Sequence, residues 1–174
     1  MLKNLNNRFF LIAGLIILAA ITRLIDHPAN FSPILAIALF AGATIENKKF
    51  ALLIPFLAMA LSDLVIGFHL ISVFVYLSFG IALMIGFYLR NRLKPSNVLL
   101  ATLTGSVIFF IITNFGSWLT SPMYQPLSLE SLTRCYTLAI PFFRNSLLGD
   151  LTYVTVLFGS YALAGKYVPA FARK

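Results

Sequence analysis

The chain has one cysteine, two histidines and five acidic residues among 174. A single thiol, Cys135, excludes an internal disulfide and any cysteine-built metal cluster. His27 and His69 have no third histidine to join them, so both read as loop residues and no metal site is expected. No histidine falls inside an apolar run, which removes the base that an intramembrane serine protease needs. A phosphate-cradling glycine loop and a paired-histidine motif are also missing. The chain is therefore not expected to be an enzyme or to hold a cofactor. Charge is scarce too: 10% of residues are Asp, Glu, Lys or Arg, against 60% apolar. A soluble domain of that composition would precipitate.

What is present is long apolar runs. A bilayer core about 30 Å thick takes about 20 apolar residues per helix. The chain supplies six runs, at about 9–25, 31–45, 50–68, 70–89, 98–119 and 141–165. These predict an all-α membrane protein, a bundle of six transmembrane helices forming one integral membrane domain over 1–174. A signal peptide ending near Ala19-Ala20 is the rival reading of the first run. Its direct passage into Arg23 and Asp26 favours an uncleaved span. The second run is the weakest, because its apolar stretch 33–44 extends only about 18 Å as a helix.

Charge sorting tests that second run. With six spans, one side holds ten basic residues: Lys3, Arg8, Lys48, Lys49, Arg90, Arg92, Lys94, Lys166, Arg173 and Lys174. The other side holds only Arg23, Arg134 and Arg144, with four of the five acids. Without a second crossing the best split falls to nine against four, and the N-terminus flips. The positive-inside rule therefore prefers six spans with both the N- and C-termini cytoplasmic. The net charge of +8 then answers to anionic lipid and orientation, not to nucleic acid.

Polar residues inside the runs gather towards the outer side. A carboxylate at the bilayer centre costs about 2.5–3.5 kcal/mol on insertion scales, so each needs a partner, water or a function. At 1.5 Å per residue, Asp63 lies about 7 Å and Asp150 about 13 Å below the outer ends of their spans. Asn114 lies at a depth like that of Asp63, Arg144 and Asn145 enter from outside, and Arg23 and Asn30 edge the first link. Asn114, Ser117 and Trp118 share one helix side by spacing, and so do Ser146, Asp150 and Tyr153. Asn145, Gly149 and Thr152 form the neighbouring stripe. Two readings stay open for Asp63 and Asp150: an ion pair with Arg23 or Arg144, or direct ligand contact. Trp118 suits an interfacial aromatic belt as well as a stacking surface. Ala38/Gly42, Ala82/Gly86 and Ala101/Gly105 have the spacing of close helix packing, within the chain in preference to against a partner. The outer link 120–139 is long enough to serve as a lid.

Five stretches carry a resemblance: Pro28-Ala29-Asn30-Phe31-Ser32-Pro33-Ile34, Ala38-Leu39-Phe40-Ala41-Gly42-Ala43, Leu61-Ser62-Asp63-Leu64, Thr113-Asn114-Phe115-Gly116 and Pro141 to Asp150. The chain resembles an uncharacterised family of small bacterial inner-membrane proteins. That family in turn resembles the substrate-binding (S) components of energy-coupling factor (ECF) vitamin transporters. The resemblance implies a multi-pass protein of the bacterial cytoplasmic (inner) membrane that captures a vitamin-like nutrient from outside. It further implies docking on a transmembrane coupling subunit driven by ATPases. S components often carry an alanine-x-x-x-alanine motif in the first helix; here Ala13, Ala19 and Ala20 lack that spacing.

The expectation is thus a membrane-embedded solute-binding protein. Its ligand-binding residues would be Arg23, Asn30, Asp63, Asn114, Trp118, Arg144, Asn145, Asp150 and Tyr153. The competing reading is a structural or assembly protein whose polar layer only pairs helices.

Overall fold

The computed structural model describes residues 7–168, so Lys3, Arg173 and Lys174 lie outside the described residues. Among the described residues the chain is all-helical, without strands. The helices are α1 (Asn7–Ile21), extended by a 3-10 turn Thr22–Leu24, α2 (Ile34–Thr44), α3 (Lys48–Ile66), α4 (Ser72–Leu89), α5 (Pro95–Thr120) and α6 (Leu129–Tyr167). Five of them, all but α2, are long and apolar enough to cross a bilayer. Their outward faces fit no aqueous surface: Leu18, Leu64, Val65, Leu70 and Val73 are each more than 60% exposed. Apolar exposure on that scale marks a surface that lipid or protein covers.

The short run is where the expected architecture changes. Eleven residues give α2 a length of about 16 Å, roughly half the bilayer core. Yet Leu35 through Thr44 are all buried, and α2 touches all five other helices. A helix apolar on every side belongs in an interior. Here α2 is the post around which the longer helices stand, entered from an irregular link whose last residues, Phe31, Ser32 and Pro33, are partly or fully buried beside it. Irregular backbone at that depth is tolerated only where protein buries it or it lines a cavity.

Small residues make the central post possible. A Cβ on Gly42 would collide with the Leu83 carbonyl oxygen and the backbone of Gly86; one on Gly86 would lie 2.5 Å from the Leu39 carbonyl oxygen. A Cβ on Gly105 would lie 2.9 Å from the Leu35 side chain. All three glycines are thus engaged inside the chain, as the spacing of the small pairs suggests.

Polar contacts show that the helices alternate in direction. Arg8, at the start of α1, donates from Nε to the Tyr161 hydroxyl (2.6 Å) near the end of α6, and from Nη1 to Glu46 Oε1 (3.0 Å) just past α2. Arg90, just past α4, donates to the carbonyls of Gly42 (2.8 Å), Ile45 (2.7 Å) and Glu46 (2.9 Å). Both described chain ends therefore lie at one face, together with Lys48, Lys49, Arg92, Lys94 and Lys166. Arg90 satisfies the carbonyls that the end of α2 cannot bond internally and places a cation at its negative pole. Arg90→Met is expected to lower stability by about 1.5–3 kcal/mol, since hydrogen bonds to a charged donor contribute on that scale. Thermal unfolding in detergent measures the loss, and Arg90→Lys should restore only part of it, because an ammonium lacks the guanidinium fork.

At the opposite face the long link expected over 120–139 is mostly helix. α6 starts at Leu129 and runs for 39 residues, about 58 Å, with Pro141 inside it. Ser128 and Ser131 form a capping box, each side chain accepting the other's backbone N–H. The segment 129–140 contains no proline or glycine to stop the helix. It packs on α5 through Trp118 Nε1 to Ser131 Oγ (2.9 Å) and Tyr136 hydroxyl to the Ile111 carbonyl (2.7 Å). The 120–139 lid is replaced by a wall.

Candidate ligand-binding cavity

The half-length of α2 leaves a space in the half of the bundle away from the chain ends. The end of the 25–33 link reaches it: residues 25–30 are exposed, Phe31 and Ser32 half-buried and Pro33 buried, with Asn30 in the left-handed region at φ 64°. A stripe on α6 seats that link. Asn145 Nδ2 donates to the Ala29 carbonyl (3.2 Å), and Tyr153 lies 5.7 Å, centroid to centroid, from Phe31. Between them Gly149 approaches so closely that a Cβ there would stand 3.1 Å from both Phe31 Cα and Ser32 N. The gap beside Asp150 that Gly149 creates is filled by the chain's own backbone.

A cavity of about 350 Å³ remains between this link, the start of α4, α5 and α6. Ligand cavities run from about 300 to 1,000 Å³, so it lies at the small end. Asn30, Ser32, Ser106, Thr113, Asn114, Ser117, Ser146 and Asp150 bring polar atoms to its wall; Ile71, Val75, Phe109, Phe110, Phe142 and Phe143 supply most of the apolar lining. Asp150 is 6% exposed, and its Oδ2 accepts from the Ser106 hydroxyl at 2.7 Å. No ion pair to Asp150 exists among the described residues, where Arg8–Glu46 and Arg23–Asp63 are the salt bridges.

The sequence-derived candidates separate into three groups. Asn30, Asn114 and Asp150 line the cavity together. Asn145 and Tyr153 stand behind the link that carries Asn30 and Ser32. Arg23, Asp63, Trp118 and Arg144 are elsewhere. Arg23 Nη2 meets Asp63 Oδ1 at 2.6 Å with both side chains under 10% exposed. Arg23 also donates to Ser62, and the Tyr76 hydroxyl donates to Asp63 Oδ2 at 2.7 Å. Asp63 thus takes the ion pair, joining α1, α3 and α4. Arg144 is exposed and pairs with neither carboxylate among the described residues. Trp118 shares a helix face with Asn114 but is drawn to Ser131 by the extra turns of α6.

Ser106, Thr113 and the four phenylalanines escaped the sequence reading. A signal for two of them existed: Ser106, Thr113 and Ser117 follow at i, i+7 and i+11, the same stripe as Asn114. A second hollow, about 470 Å³, lies between α5 and α6 nearer the chain ends, lined by Leu99, Leu151, Val154 and Phe158 among others. It contains no carboxylate or basic side chain, and the Tyr161 hydroxyl at its edge is engaged by Arg8.

The model of a family of unknown function, DUF6580, matches residues 3–171. No curated protein and no solved structure matches the chain.

Proposed function

Starting from a chain that belongs to the DUF6580 family, we propose a membrane-embedded binding protein for a small solute, acting in uptake as an S-component-like subunit. The single observation that carries this reading is Asp150. It is a buried carboxylate without an ionic partner among the described residues, facing a cavity of ligand size. Such a group in a membrane segment is expensive, and function is its usual reason. The basic face would lie in the cytoplasm of a bacterial inner membrane, with both termini there, and the cavity would then open towards the outside. Energy would come from a separate coupling subunit with ATPases. The surface for that partner must lie outside the three small-residue pairs, because Gly42, Gly86 and Gly105 are buried within the chain.

The helix-pairing alternative is best supported at the Arg23–Asp63–Tyr76 cluster, which joins α1, α3 and α4. It does not account for Asp150, which has no cation to pair with among the described residues.

Thermal shift of the purified protein against a vitamin library tests the proposal. A ligand at about a hundred times its Kd should stabilise the fold by about 2.7 kcal/mol. Asp150→Asn keeps the shape and removes the charge, so it should fold normally and lose that gain. A library without hits at saturating concentration returns the case to the structural reading.

A further inference from the structure

Resting on that reading, we infer that the cavity takes a cation: a small organic ammonium, or a protonated ring nitrogen, on an apolar or aromatic body. The inference comes from which hydrogen-bonding groups of the wall are already used. Thr113 and Ser146 donate to the carbonyls of Phe109 (2.8 Å) and Phe142 (3.3 Å) one turn back. Ser106 has one hydroxyl hydrogen, with the Thr102 carbonyl (2.9 Å) and Asp150 Oδ2 (2.7 Å) both in reach. Asn114 Nδ2 donates to the Phe110 carbonyl at 2.7 Å, which leaves its Oδ1 and its second N–H.

Between them these four side chains retain lone pairs and one amide N–H, while Asn30, Ser32 and Ser117 on the same wall can donate or accept. Asp150 adds a carboxyl group, and no lysine or arginine among the described residues lines the cavity. The hydrogen-bonding groups of the wall can serve either role, and its one ionisable side chain, among the described residues, is an acid. Phenylalanine rings around it suit a positive charge as well, because their faces are electronegative. One feature opposes this. The first N–H groups of α2 adjoin the cavity at Ile34 and Leu35, and a helix start carries about half a positive charge. That half charge weakens the preference for a cation, whereas an ammonium seated beside Asp150 would itself favour the ionised carboxylate.

Arg23 and Arg144, which would have suited an anionic group, do not reach the cavity: one is held by Asp63 and the other is exposed. A ligand carboxylate or phosphate would find no side-chain counter-charge among the described residues and would face Asp150 instead.

Size-matched probes differing only in charge test this on the full-length protein in detergent, read by thermal shift and calorimetric titration. One set is tryptamine, tryptophol and indoleacetate; the other is phenethylamine, phenethyl alcohol and phenylacetate. The amines should stabilise the protein at up to millimolar concentration. The alcohols should bind about tenfold to a hundredfold more weakly, the range expected for losing a charge-assisted hydrogen bond, and the acids not at all. Asp150→Asn should bring the amines to the level of the alcohols. If alcohols or acids bind as well as amines, the charge assignment is overturned while the cavity remains a ligand site. Silence from all six probes overturns both. The wild-type comparison decides the matter by itself should the variant fail to fold.

Discussion

Gly42→Val is expected to prevent the bundle from assembling, and Gly86→Val to do the same. At this crossing of α2 and α4 the two glycines face each other, and the atoms a new side chain would strike are backbone: the Leu83 and Leu39 carbonyls and the partner glycine. Overpacking a core usually costs about 1–3 kcal/mol because side chains shift to make room. Backbone atoms of two packed helices have no rotamer to move into, so the cost here should exceed that range. Because α2 touches every other helix, separating it from α4 disturbs the whole interior. Gly80→Val and Gly14→Val are the controls, since a Cβ at either meets nothing within 4 Å. The measurement is the yield of monodisperse protein in detergent and its unfolding temperature. Equal behaviour of Gly42→Val and Gly80→Val would show that the close crossing of α2 and α4 is wrong.

The second large effect is expected at the buried ion pair. Arg23→Met should destabilise the protein by about 3 kcal/mol or more, because removing one partner of a buried pair leaves the other charge uncompensated. Asp63 would keep only its Tyr76 hydrogen bond. Asp63→Asn should cost less, since Arg23 follows α1 near the face and its long stem can carry the guanidinium to water. Arg23→Met combined with Asp63→Leu should recover most of the loss, as apolar replacement of both partners is often close to neutral. Denaturant titrations of the four proteins form a double-mutant cycle that isolates the pair. The same substitutions should leave any ligand bound at the Asp150 cavity with unchanged affinity. A parallel loss of binding would place Asp63 in the site after all.

How much was legible follows from individual residues. Apolar run length finds a run for each of the six helices, though not the early start of α6, because helix formation in lipid follows from local composition alone. Asp150 and Asn114 stand out because a polar group among hydrocarbon is conspicuous whatever surrounds it. Asp63 stands out for the same reason, yet its partner does not. Arg23 and Arg144 are both suitable cations in the sequence, and only the packing of α1 against α3 selects Arg23. The 120–139 stretch reads as a loop because its charged and polar residues break the apolar run. Hydropathy cannot tell a loop from a helix that continues past the lipid. The capping pair Ser128 and Ser131 was the local sign that it continues.

Composition and order along the chain were sufficient for the class of protein, the number of helices, the sorting of basic residues to one face, and the presence of costly polar groups near the other. Each of those depends on single residues or on neighbours in sequence. Three things were settled only by the tertiary arrangement: α2 stops short and stands at the centre, Asp63 is spent on Arg23, and Asp150 is left facing a cavity with polar side chains around it. The physical reason is that charge pairing and empty space are properties of side chains far apart in sequence. Arg23 and Asp63 are separated by 40 residues, and Ser106 and Asp150 by 44. No local pattern specifies which of several such partners will meet.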